Sequence, residues 1–291
     1  MHRVRRPRHP GRRAADCAIG VVRARSAPAL AQAPQPRDLE QELGCALARS
    51  QFRLVYQPIR GMRAAVAPAF EALLRWDHPV FGAVAPDRFI PLAERNGMIL
   101  DIGDWVFRGA ADACRRLRAE CGQAVRVAVN VSALQLASRP VTRLWQSYLE
   151  QIGLPPDALT LEITEHVMSQ QPELMLQHVA ELGRAGFRFA LDDFGTGYAN
   201  LALLAQIPAD CLKLDRSLTR RLPDSSRHRT IADSVIRLAH DLSMQVVAEG
   251  VESPAEAWIT SEMGCDFAQG YWFGKPASAE HVARHLAAVP A

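Results

Sequence analysis

From residue 38 onward the chain alternates short apolar runs with stretches of helical period. Runs of strand type fall at 53–57, 70–75, 126–131, 159–163, 187–191, 211–214 and 245–248, with a weaker one at 267–268. Apolar residues at three- and four-residue spacing predict helices at 91–96, 104–119, 141–151, 172–185, 198–205, 226–241, 254–263 and 279–288. Only a short stretch around Gly61, without helical period, joins the first two strands. A parallel crossover takes a dozen or more residues and usually a helix, so this pair reads as an antiparallel hairpin. Eight strands over about 250 residues, seven of them in βα alternation, predict an α/β fold of the (β/α)8 TIM-like barrel type. A doubly wound open sheet is the competing topology.

Residues 1–37 carry no such pattern and are rich in Arg, Pro and Ala, which predicts a disordered tail ahead of a single body at 38–288. At the junction, Asp38-Leu39-Glu40-Gln41 reads as a capping box for a helix whose Leu39, Leu43 and Leu47 share one face. Of the formal net charge of +3, residues 1–38 supply +7, from nine arginines against Asp16 and Asp38, which leaves 3 − 7 = −4 for the remainder. The basic character therefore belongs to the tail, and nucleic-acid binding is not expected of the fold. The segment from Arg12-Arg13 to Ala29-Leu30-Ala31 has the outline of a leader, but Asp16 interrupts its apolar run and Arg23 and Arg25 follow, so no signal peptide is expected. No apolar run reaches the ~18 residues of a membrane span. The six cysteines, at 17, 45, 114, 121, 211 and 265, form no CxxC pair or zinc-ligand spacing, which fits reduced thiols in a cytoplasmic protein.

Barrels of this kind carry their chemistry where the strands end. The predicted strands end in, or closely enclose, Glu71 and Arg75, Asn130, Glu162, Asp192-Asp193, Lys213 and Asp215, Glu249, and Gln269, where core filling would place Val, Ile or Leu. Any one of these is more often a helix cap than a ligand. Several uncompensated carboxylates in one barrel mouth would repel and be costly to desolvate, and bound divalent cations remove that cost. An oxygen-rich set with one Asn and no His or Cys favours Mg2+ or Mn2+ over Zn2+ or Cu2+. Gly195-Thr196-Gly197 lacks the third glycine of a dinucleotide fingerprint, and no serine elbow or Walker sequence is present.

The run Phe70-Glu71-Ala72-Leu73-Leu74-Arg75-Trp76 resembles the signature that names the EAL domain, the bacterial phosphodiesterases of cyclic di-GMP. The resemblance continues through Tyr56-Gln57-Pro58, Phe89-Ile90-Pro91-Leu92-Ala93-Glu94, Asn130-Val131-Ser132, Leu161-Glu162-Ile163-Thr164-Glu165, Asp192-Asp193-Phe194-Gly195-Thr196-Gly197, Lys213-Leu214-Asp215, Glu249-Gly250-Val251-Glu252 and Gln269-Gly270-Tyr271. It spans about 38–285 in the family's order. It implies a barrel whose first strand runs antiparallel to the others, two Mg2+ or Mn2+ ions, and hydrolysis of cyclic di-GMP to linear pGpG. Carried over motif by motif, Glu71, Asn130, Glu162 and Asp192 hold one ion, and Asp192 bridges to a second that Asp193 helps bind. Lys213 orients the attacking water, and Glu249 acts as general base or as a contact to the second ion. Glu165 and Glu252 support the loop after Asp193, Gln269 completes the site, and Gln57, Arg75 and Asp215 contact substrate.

The resemblance also implies a homodimer; the first 37 residues match no sensor domain, so the expected input comes from a sensor partner, or the start of the sequence is misplaced. The competing function is an inactive receptor that binds cyclic di-GMP and signals through protein contacts. Such domains typically lack one or more metal ligands, and all of them are present here. Ala69 stands where the family usually has Gly, and Ala199-Asn200 where two serines are common. The latter lies in a loop that couples dimerisation to metal binding in the family, so it bears on regulation more than on chemistry.

Overall fold

The computed structural model describes residues 36–62, 67–195 and 204–288. Residues 1–35, which hold nearly all of the predicted tail and the leader-like segment, lie outside the described residues. So do Ala199-Asn200 and most of the helix predicted at 198–205.

Helix α1 (Pro36–Ala46) opens on a proline, whose fixed φ suits a first helical turn. Asp38, expected as its cap, is instead the third residue of the helix. Leu39 and Leu43 are fully buried, as their spacing predicts. The hairpin follows: β1 (Phe52–Gly61) pairs antiparallel with β2 (Ala69–His78), with Phe52 opposite Trp76 and Ile59 opposite Ala69. The end of β2 also carries a three-residue β3 (Gly82–Val84), too short to leave a period in the sequence.

The alternation then runs α2 (Pro86–Arg95), α3 (Ile99–Cys121), β4 (Arg126–Asn130), α4 (Ala133–Ala137), α5 (Arg139–Ile152), β5 (Leu159–Thr164), α6 (Glu165–Gln170), α7 (Pro172–Arg184), β6 (Arg188–Phe194) and β7 (Cys211–Leu214). After it come α8 (Arg216–Thr219), α9 (Ser226–Asp241), β8 (Gln245–Ala248), α10 (Pro254–Glu262), β9 (Phe267–Gln269) and α11 (Ala279–Ala288). The short α4, α6 and α8 were not predicted, because four to six residues cannot display a helical period. Each begins at a polar residue whose side chain accepts a hydrogen bond from the first turn: Ser132, Thr164 and Asp215.

Strands β2, β4, β5, β6, β7, β8 and β9 pair in parallel, and β1 closes the ring by pairing antiparallel with both β9 and β2. This closure excludes the open sheet. Among the eight described strands of the closed ring, β1 alone runs against the others, so its first residue lies at the rim where the parallel strands end, and α1 joins the barrel at that rim. There His78 Nε2 lies 3.2 Å from Glu42 of α1, while its Nδ1 accepts the amides of Val80 and Phe81. With Nδ1 accepting, the ring hydrogen sits on Nε2 and points at Glu42.

The core lies between the outer faces of the strands and the surrounding helices. Phe107 of α3 stacks on Trp145 of α5 at 4.4 Å. Trp76 meets Phe89 edge-on at 5.5 Å, and its indole N–H donates to Gln51 Oε1 at 2.9 Å. Among the described residues no helix is long and apolar enough to cross a membrane.

Candidate active site

Alternation along the strands turns one set of side chains toward the barrel axis. Glu71 of β2, Asn130 of β4, Glu162 of β5, Asp192 of β6, Lys213 of β7 and Gln269 of β9 belong to that set, and Glu249 directly follows β8. Lys213 is 1% exposed and stands at their centre. Its Nζ lies 2.8 Å from Glu162 Oε1, 2.8 Å from Glu249 Oε1, 3.2 Å from Asp192 Oδ1 and 3.7 Å from Glu71 Oε2. Gln269 Nε2 donates to Glu71 Oε2 at 2.6 Å and Asn130 Nδ2 to Glu71 Oε1 at 2.8 Å, which fixes that carboxylate from both sides.

Asp192 and Asp193 are adjacent, so an undisturbed strand would send them to opposite faces. The register between β6 and β7 shifts between Leu191 and Phe194, and Asp193 has φ 57°, in the left-handed region that Asp tolerates better than most residues. The backbone N–H of Asp193 donates to Asp192 Oδ1 at 2.9 Å, which holds the turn. As a result, one oxygen from each of Asp192, Asp193 and Glu249 falls within 4.8 Å of the others. The bulge puts both aspartates to use on one side of the sheet.

Four carboxylates around one buried ammonium leave a large negative excess. Burial and repulsion from Glu71 push the Glu162 carboxyl well above its ordinary range, against the pull of Lys213. Burial raises Glu249 to about 8. Burial and Asp192 raise Asp193. Burial would also raise Glu71, but Lys213 and the hydrogen bonds from Gln269 and Asn130 bring it below its ordinary value. Burial would lower Lys213, and the surrounding carboxylates instead hold it well above its usual range. Glu162 Oε2 is buried and, among the described residues, has no hydrogen-bond partner. The ligand atoms are all oxygen and carry more negative charge than Lys213 balances, which fits hard divalent cations.

A pH dependence follows from this charge excess. With Glu249 at about 8 in the folded chain against an ordinary 4.5, the folded protein holds more protons than the unfolded one between those values. Stability of the metal-free protein is therefore expected to fall as pH rises from 4.5 toward about 8, and saturating Mg2+ is expected to flatten that slope. Thermal unfolding across this range, with chelator or with Mg2+, measures both.

The remaining predicted site residues fall into different settings. Gln57 is buried, its Oε1 accepting from Gln269 at 3.2 Å and its Nε2 donating to Gly274 O at 3.3 Å, so both ends of its amide are engaged within the protein. Asp215 caps α8, accepting the Ser217 amide at 2.8 Å. Arg75 is half-buried, and Nη1 donates to Leu74 O at 2.9 Å. Glu165 begins α6. Glu252 is exposed and pairs with Arg220 at 2.7 Å; these residues stand 32 apart on separate elements, and no sequence pattern announces the pair. The segment after Gln269 is strapped to Val251, whose N–H donates to Gln269 O and whose carbonyl accepts from Trp272, each at 3.0 Å. A Cβ on Gly270 would lie 2.1 Å from Val251 O and 2.3 Å from Val251 N. Gly270→Ala is accordingly expected to destabilise the fold by about 3 kcal/mol, read by denaturant unfolding.

Comparison with known proteins adds to this geometry. The model of the EAL domain matches residues 40–276. The chain is 40% identical over 247 residues to the cyclic di-GMP phosphodiesterase NbdA of Pseudomonas aeruginosa, covering 85% of this chain and 32% of that protein. It thus spans about a third of the length of the curated relatives it matches. Among solved structures, the MucR phosphodiesterase in complex with c-di-GMP superposes with a TM-score of 0.78 at 36% identity, covering 84% of this chain and 99% of that one. The EAL enzyme Bd1971, bound to cAMP and cyclic-di-GMP, gives 0.81 at 28% identity, covering 86% and 69%.

Proposed function

The chain belongs to the EAL domain family, and from that premise we propose that it hydrolyses cyclic di-GMP to linear pGpG with two divalent cations, Mg2+ or Mn2+. The observation that carries this reading is the convergence of Glu71, Asn130, Glu162, Asp192, Asp193 and Glu249 on one mouth whose negative charge Lys213 alone does not balance. A receptor that only held the nucleotide would have no use for that excess, which burial makes costly.

Glu71, Asn130, Glu162 and Asp192 would hold one cation, and Asp192, Asp193 and Glu249 the other. The cations would make water a better nucleophile at neutral pH and stabilise the charge that develops on the phosphate. The chain's own groups do the rest. Lys213, held between Glu162 and Glu249, sets a fixed positive charge beside the phosphorus as it becomes more negative. Glu249, ionised once the cations are in place, would accept the proton that the attacking water loses. Arg75 has N–H groups left beyond its bond to Leu74 O, and its planar fork can grip a phosphate through two parallel hydrogen bonds.

Incubating purified protein with cyclic di-GMP, with Mg2+ or Mn2+ and with chelator, tests the proposal. Linear pGpG is expected in the metal arms alone, and intact cyclic di-GMP in every arm would overturn it. The proposal extends to a homodimer, which light scattering of the same preparation measures.

A further inference from the structure

On the face opposite the site, the strands begin around a second feature, a cavity of about 60 Å3. Ala69, Ala128, Ala190 and Cys211 line it where barrel interiors mostly carry branched side chains, so the shaft is underfilled. Its inner end is the underside of Glu162 and Lys213, and the partnerless Glu162 Oε2 belongs to one of these lining residues. At ~15 Å3 apiece, a cavity of about 60 Å3 holds about four waters.

Two arginines, the first residues of β4 and β6, line the same cavity: Arg126 and Arg188. Asp210 lies 3.2 Å from Arg188, and its other oxygen accepts the Phe189 amide at 2.9 Å, so this carboxylate is already engaged twice. Arg126 is half-buried and, among the described residues, has neither a hydrogen-bond nor an ion-pair partner for its side chain. Burial and the charge of Arg188 both push its pKa below the ordinary value. The other charged groups that act on it are Arg118, also cationic, and the carboxylates Asp157 and Asp210. Three guanidinium groups thus face two carboxylates, and the one without a partner adjoins the cavity. A guanidinium half removed from water and repelled by a neighbour is relieved by an oxyanion that meets its planar fork.

We propose that the base of the barrel binds a small oxyanion, a phosphate or a carboxylate, between Arg126 and Arg188. The catalytic groups stand four residues further along the same strands, Asn130 on β4 and Asp192 on β6, a rise of about 13 Å. The site is therefore separate from the mouth, and its occupancy does not depend on the proposed hydrolysis.

Calorimetric titration of inorganic phosphate into metal-depleted protein, at ionic strength held constant with chloride, tests this. Metal depletion keeps the anion from the mouth, whose carboxylates repel it. One saturable site is expected in the wild type, with affinity at least tenfold weaker in Arg126→Gln and intermediate in Arg126→Lys. Parallel titrations with acetate and with a phosphate monoester separate carboxylate from phosphate recognition. The arginine Nε–H resonances of Arg126 and Arg188 in the wild-type protein are expected to shift on the same isotherm, which decides the matter even if a variant fails to fold. No saturable heat and unmoved Nε–H resonances, or equal affinity in a folded Arg126→Gln variant, would overturn the proposal.

Discussion

Asp192→Ala is expected to lower cyclic di-GMP turnover by about a thousandfold, roughly 4 kcal/mol at about 1.4 kcal/mol per factor of ten, while the fold persists. Asp192 is the carboxylate assigned to both cations. One of its oxygens lies 3.2 Å from Lys213 and also accepts the Asp193 amide that holds the bulge. Losing it would remove the proposed shared ligand and loosen the turn that aims its neighbour. Asp192→Asn separates the two effects, because the amide oxygen can still accept from Asp193 while the charge is gone. Comparable losses of kcat in both variants would assign the effect to charge. Near-normal turnover in either variant would contradict the metal assignment. Circular dichroism and thermal unfolding of each variant confirm whether the barrel has formed.

Lys213→Met is the second large effect, and it concerns stability as much as chemistry. In the metal-free protein this substitution leaves Glu71, Glu162, Asp192 and Glu249 buried without their shared cation. Removing one partner of a buried ion pair typically costs about 3–5 kcal/mol. That loss is expected in chelator and is expected to shrink in saturating Mg2+, because a ligand that binds only the folded state stabilises it by mass action. Turnover should remain low in both conditions, since a metal ion replaces the charge but not the ammonium's fixed place between Glu162 and Glu249. Denaturant unfolding with chelator and with Mg2+ reads the first effect, and product formation reads the second. Equal stability of wild type and variant in chelator would show that the cluster does not need its lysine.

The staves of the barrel were legible because they are continuous apolar runs, and 211–214 and 245–248 coincide with β7 and β8. Lys213 and Glu162 stood out in the sequence for the same physical reason, as charged groups inside such runs. What remained hidden depends on contacts between distant segments or on backbone geometry. Adjacency in sequence says that Asp192 and Asp193 point apart, and only the register shift and the positive φ bring them together. Asp215 shares a strand face with Lys213 by period, but its carboxylate caps α8, a helix too short to predict. Gln57 entered through the resemblance alone, and the groups its amide meets, Gly274 and Gln269, lie more than 200 residues away in sequence.

The reversed first strand has a mechanical consequence. In a barrel with every strand parallel, a helix ahead of the first strand would meet the closed underside. Here α1 arrives at the catalytic rim, with Leu39 and Leu43 seated in the core and Glu42 tethered to His78. His78 terminates the strand that carries Glu71 and Arg75. Torque on α1 therefore has a short lever arm to one proposed cation ligand and to the proposed phosphate clamp, and it need not travel through the barrel to reach them.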